Sequence, residues 1–176
     1  MLKVKNNKNQ LINTAYSWAR FWHKGQKRNN GQPYIVHPVS VAHKVSLYTN
    51  DPHIIAAALN HDVLEDCDVT MATLIEKIGL KAASIVYEVT DPKDMPFAER
   101  IAWRLATIKN ISPAAQLIKT ADIDDNLTDP STYPAQRRIL QYVENRISIL
   151  LDINSIYSNR VANRLMDWRD NYVKNI

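Results

Sequence analysis

Apolar residues recur along this chain at helical intervals, and nowhere do they sustain the strict alternation of a half-buried strand. Helix-length segments are predicted at about 8–24, 39–49, 52–66, 70–79, 81–90, 96–110, 113–128, 135–153 and 158–173. In the segment 135–153, Ile139, Leu140, Val143, Ile147 and Leu150 return near helical spacing and mark a buried stripe. Asp51-Pro52 and Ser112-Pro113 each put a capping side chain just ahead of a proline at the first helical position. Only three glycines occur, Gly25, Gly31 and Gly79, too few for the turns of a β-rich protein. The expected fold is all-α, a single domain over residues 1–176. Its motif-bearing core lies at about 10–150, with a C-terminal helix at about 158–173.

The stretch GQKRNNGQPYIVH, from Gly25 to His37, breaks the helical pattern. It is polar, carries Pro33, and is predicted to be a loop that ends by presenting His37 just before a helix. A second connection, VTDPKDMPF, is marked by Pro92 and Pro96.

Composition narrows the classes. A 176-residue chain with 45% hydrophobic and 23% charged residues is globular and has room for one ordinary domain. The formal net charge of +4 is mild, and without a basic stripe or recognition helix it does not point to nucleic acid. Cys67 is the sole cysteine, so no disulfide forms within the chain. The longest unbroken apolar run, Ile54 to Leu59, is too short to span a bilayer. No membrane association is expected, and the location is read as cytoplasmic.

The chemistry concentrates in IIAAALNHDVLEDC, residues 54–67. On one continuous helix His61, Asp62, Glu65 and Asp66 would fall within an arc of about 140°. Carboxylates crowded at the end of an apolar helix repel one another unless a cation compensates them. A solvated helix end is the plainer reading of such a cluster. The apolar lead-in and the adjacent imidazole favour a mixed nitrogen and oxygen site suited to manganese, iron or zinc. In LIKTADIDDNL, residues 117–127, Asp122 and Asn126 share a helical face, with Lys119 one turn earlier. Asp122 is a candidate metal ligand, while Asp124 and Asp125 are read as solvating a helix end. His37 gains weight only from this company. His23, His43 and His53 are read as ordinary surface or core residues, with His23 placed to help hold the loop after it.

Four motifs together resemble the hydrolase domain of the RelA/SpoT homologue family, and in particular its stand-alone small alarmone hydrolases. They are HKGQKRNNGQPYIVHPVSVA (23–42), AAALNHDVLED (56–66), EVTD (88–91) and KTADIDDNLTD (119–129). The resemblance covers roughly residues 10–130. It implies an HD-type phosphohydrolase holding one manganese ion through His37, His61, Asp62 and Asp122. It also implies Glu65 and Asp66 as catalytic acid/base carboxylates, and Arg28 and Asn126 as ligand contacts. Lys119 and the loop's Lys24 and Lys27 would help balance pyrophosphate charge. The implied reaction is manganese-dependent hydrolysis of the 3′-pyrophosphate of guanosine tetra- or pentaphosphate to GDP or GTP and pyrophosphate, the cation activating a water molecule. A small-molecule nucleotide is the expected partner, with self-association into a homo-oligomer left open. The alternatives are the adenine counterparts of these nucleotides, the 2′-phosphate of NADPH, and a silent nucleotide-binding module. One departure stands out: the family's ADxLHN or ADxLYN reads ADIDDN here, so that Asp124 and Asp125 add negative charge.

Overall fold

The computed structural model describes residues 7–129 and 136–174. The described residues form ten helices. In chain order they are α1 (Asn7–Trp22), α2 (Val36–Ser46), α3 (Pro52–Leu59), α4 (Val63–Asp66), α5 (Met71–Ile78), α6 (Leu80–Val89), α7 (Phe97–Thr107), α8 (Pro113–Leu127), α9 (Gln136–Ile153) and α10 (Ile156–Lys174). No strand occurs among them; the nearest approach is one isolated bridge between Lys27 and Pro33. The all-α expectation holds.

The chain divides into two compact units, Met1–Thr90 and Asp91–Ile176. In the first, α3 packs against α1, α2 and α6, and α5 packs against α1 and α6. Ala56, Ala57, Ala58 and Leu59 of α3 are all buried. Small side chains there let three neighbours approach one short helix closely. The predicted cap is present: the Asp51 carboxylate accepts from the His53 backbone N–H at 2.8 Å, and Pro52 opens the helix. Gly79 joins α5 to α6 at φ +83 and ψ 155, a region only glycine occupies readily.

In the second unit α10 packs against α8 and α9, while α9 also meets α7 and α8. Ile139, Val143, Ile147 and Leu150 of α9 are buried, as the periodicity predicts. Ser112 caps α8, accepting from Ala115 N at 3.2 Å.

Two boundaries differ from expectation, and a third lies beyond comparison. The predicted start of the eighth segment, residue 135, lies outside the described residues. Helix α2 begins at Val36 and not at 39, so His37 sits inside its first turn and not ahead of it. The extension follows from the backbone, where His37 N donates to Tyr34 O at 2.9 Å and Val39 N to Ile35 O at 3.2 Å. The second difference matters most. The predicted helix 52–66 breaks after Leu59, and α4 restarts at Val63. Asn60 causes the break: its backbone leaves helical geometry at φ −121. Its side-chain amide donates to Ala56 O at 2.9 Å and Ala15 O at 3.2 Å. His61 and Asp62 therefore sit in a turn between two helices.

Candidate metal and catalytic centre

In the first unit the break at Asn60 brings His61 and Asp62 to the start of α2. His61 Nε2 lies 3.1 Å from Asp62 Oδ1, and His37 Nε2 lies 3.4 Å from Asp62 Oδ2. Both imidazoles are buried and meet edge to face with centroids 5.0 Å apart. His61 Nδ1 is 2.9 Å from Ala58 O. A carbonyl oxygen only accepts, so Nδ1 carries the proton and Nε2 of a neutral ring offers a lone pair. That lone pair faces a carboxylate. Such an arrangement is attractive only with a proton or a cation between the two, so the donor chemistry fits a divalent metal. Burial alone would raise the Asp62 carboxyl; a proton on the imidazoles, standing where a cation would, reverses this through the charge of His61 and hydrogen bonds from His37 and His61, and holds it well below the usual carboxylate range.

Tyr34, from the end of the loop, stands over this group. Its hydroxyl is 2.7 Å from Asp62 Oδ2 and 3.0 Å from Asp66 Oδ2. Burial, then the charges of both carboxylates, drives the phenol upward, so it stays protonated. Asp66 is raised, first by partial burial and then by the charge of Asp62. Glu65 and Asp66 remain within one turn of Asp62, with Glu65 N and Asp66 N donating to Asp62 O at 3.0 and 2.8 Å.

The loop itself is ordered by its own bonds. Arg28 N donates to Gln32 O at 2.8 Å and Tyr34 N to Gln26 O at 3.0 Å. His23 Nδ1 meets Gln26 Oε1 at 2.7 Å, and the Gln26 amide donates to Asp66 O at 3.0 Å. The His23 ring also lies 4.8 Å from that of Tyr34. His23 thus holds the loop as expected, and Gln26 fastens it to the acidic end of α4. Arg28 is half-buried within this turn.

In the second unit, α8 carries Lys119, Asp122 and Asn126 on one face. Asn126 donates to Asp122 Oδ1 at 2.8 Å, and Lys119 Nζ lies 3.2 Å from Asp122 Oδ2. Both neighbours orient that carboxylate. The reading of Asp124 and Asp125 as solvated is corrected, because both are buried at 6% exposure. Asp124 accepts from the Tyr157 hydroxyl at 2.8 Å and from Arg164 at 2.6 Å, both on α10. Its charge is neutralised within the unit. Sequence reasoning missed Tyr34, Tyr157 and Arg164; the PYI triplet was the one local signal for the first.

An all-helical chain that sets a His-Asp pair at a helix break, with a second buried histidine against the same aspartate, is an HD-type metal-binding protein. Residues 15–120 match the family model HD_4, described as an HD domain. Human guanosine-3′,5′-bis(diphosphate) 3′-pyrophosphohydrolase MESH1 is 35% identical over 146 residues, covering 77% of this chain and 79% of that protein. The Danio rerio MESH1 is 38% identical over 143 residues, covering 76% and 78%. A longer pyrophosphohydrolase from Aquifex aeolicus is 32% identical over 92% of this chain, which spans 24% of that protein's length. A solved structure described as a metazoan orthologue of SpoT that hydrolyses ppGpp superposes with a TM-score of 0.84 at 27% identity, covering 90% of this chain and 95% of that one. The chain belongs to the small HD-domain pyrophosphohydrolase family, MESH1- and SpoT-like. No helix among the described residues is long and apolar enough to cross a membrane.

Proposed function

We propose that this chain hydrolyses the 3′-pyrophosphate of guanosine tetra- or pentaphosphate, releasing pyrophosphate and GDP or GTP, with manganese as its cation. The observation that carries the reading is the Nε2 lone pair of His61 aimed at Asp62, with His37 on the same carboxylate. We assign His37, His61, Asp62 and Asp122 as the ligands, a set of two imidazoles and two carboxylates. The family match runs through both compact units and supports one working domain over the chain.

When bound, the cation supplies Lewis acidity that favours ionised water and offsets charge developing on the phosphate. The chain's own groups then divide the proton traffic. Glu65 accepts the proton of the attacking water. Asp66, raised towards its neutral form, holds a proton for the ribose 3′ oxygen as the bond from phosphorus to that oxygen breaks. Tyr34 fixes the direction of both Asp62 and Asp66 through one hydroxyl. Arg28, Lys119 and Asn126 are assigned to the nucleotide, the last two also setting the angle of Asp122.

The test is a manganese-supplemented screen of guanosine and adenosine 3′-pyrophosphates and of NADPH, with products identified. Release of pyrophosphate from the guanosine compounds is the expected result; orthophosphate from NADPH alone overturns it. Asp62→Ala loses metal and turnover together, whereas Glu65→Ala keeps most metal affinity and loses most of the rate.

A further inference from the structure

The segment between α1 and α2 closes on itself as a hairpin. Arg28 N donates to Gln32 O at 2.8 Å, Gly31 N to Arg28 O at 2.9 Å, and Lys27 bridges to Pro33. Gly31 sits at φ +85, and Asn30 Oδ1 accepts from Gln32 N at 3.0 Å. A hairpin so tied shifts as one piece. Arg28 lies towards its tip, and Gln26 and Tyr34 are its two feet, joined by Tyr34 N donating to Gln26 O at 3.0 Å.

Both feet stand on Asp66. The Tyr34 hydroxyl donates to the Asp66 carboxylate at 3.0 Å, and the Gln26 amide donates to the Asp66 backbone carbonyl, also at 3.0 Å. A carbonyl only accepts, so Gln26 Nε2 is the donor there and Oε1 takes the proton of His23 Nδ1 at 2.7 Å. His23 is almost wholly buried, which anchors this foot just past the end of α1. The Asp66 carbonyl closes α4, and the last carbonyls of a helix have no partner within it. Gln26 supplies one. With four residues, α4 has few bonds of its own to set the direction of Asp66.

We infer that Gln26 is a positioning residue that couples nucleotide capture at Arg28 to the aim of Asp66. The inference rests on the proposed pyrophosphohydrolase reaction and adds how one loop serves both binding and proton delivery. Arg28 drawn onto the nucleotide shifts the hairpin, and the hairpin carries Asp66 through its carbonyl and its carboxylate together. A misplacement of about 1 Å costs on the order of a hundredfold in rate, so a small shift suffices. A nucleotide that Arg28 does not engage leaves Asp66 off line, and the loop thereby selects in turnover as well as in binding.

Gln26→Met keeps the side chain's size and removes both of its hydrogen bonds; Gln26→Glu, the second variant, keeps the bond to His23 alone. Each is combined with Arg28→Ala in the manganese-loaded full chain, after melting curves confirm folding. With guanosine tetraphosphate, Gln26→Met is expected to lower kcat about tenfold or more while KM and manganese affinity change little. Arg28→Ala should lower kcat and raise KM in the wild-type background, but only raise KM once Gln26 is replaced. Losses in kcat that simply multiply overturn the inference, as does full kcat in both Gln26 variants. Hydrogen exchange reads the coupling without turnover. With chelator present, guanosine tetraphosphate should slow exchange at the Asp66 and Cys67 amides in the wild type and not in Gln26→Met; equal slowing in both overturns the coupling. A wild type that binds this nucleotide without cleaving it sinks the proposed function separately, and the exchange comparison still decides the role of Gln26.

Discussion

The phenol of Tyr34 has one proton to give, yet it faces carboxylate oxygens of both Asp62 and Asp66. Asp62 is held strongly ionised, so the shared geometry is satisfied when Asp66 carries a proton of its own, in line with its raised carboxyl. A carboxyl raised in the folded state contributes stability that is present below its unfolded value and lost as pH rises through the folded value. Asp66→Asn should therefore flatten the fall in stability over that interval and leave the protein more stable than wild type near neutrality. Urea midpoints measured against pH check this, and a wild-type profile that does not fall there sinks it. The same variant should lose most turnover, the usual trade between a strained site and a stable one. At Asp124 the asymmetry runs differently. Arg164→Leu leaves a buried carboxylate short of its guanidinium, at a cost of about 1–3 kcal/mol. Asp124→Leu should cost less, because half of the Arg164 side chain already reaches water. Equal losses in denaturant unfolding would contradict that order.

At the scale of elements, the helix ends were the legible part of the sequence. Aspartate or serine followed by proline has a local physical meaning, and both such pairs open helices where expected. The break at Asn60 was not legible, since the apolar run and the polar burst after it fit one uninterrupted helix equally well. What decides the break is a hydrogen bond to Ala15 O, 45 residues away, which no local pattern encodes. The burial of Asp124 was hidden for a similar reason, its partners lying 33 and 40 residues onward. Asn60→Ala should cost about 1–3 kcal/mol and weaken metal binding, as α3 becomes free to continue through His61. Denaturant unfolding and metal titration together test it; a stable variant with normal affinity would show that the break has another cause. Asp51 sets the other end of α3. The Lys81 ammonium, donating at 2.8 Å, is the main reason its carboxyl lies below the usual range, with the His53 N–H adding to it. A lowered carboxyl contributes stability above its unfolded value that disappears as pH falls through the folded one. Asp51→Ala should cost about 1 kcal/mol near neutrality and little in acid. Melting temperatures at the two conditions give the comparison.

For the molecule as a whole, fold class and family were readable because chain-wide periodicity and four separated motifs agree. The juxtaposition of His37, His61 and Asp62 within one unit also came through, their role as ligands being the proposal made above. The supporting polar contacts did not, because they join residues with no fixed spacing. A cation that binds only the native state raises the melting temperature with its concentration. Chelation should lower that temperature, manganese should restore it, and His61→Ala should be insensitive to both. Scanning calorimetry with and without chelator reads all three.

Cys67 lies beneath the loop, its sulfur 3.5 Å from His23 Nδ1 and 3.7 Å from the Gln26 amide. The thiol is covered, so an alkylating reagent can reach it only while the loop lifts away. Its labelling rate is therefore a built-in clock for those excursions, read without adding a probe. A nucleotide that grips Arg28 should slow the clock, even in a variant too impaired to turn over.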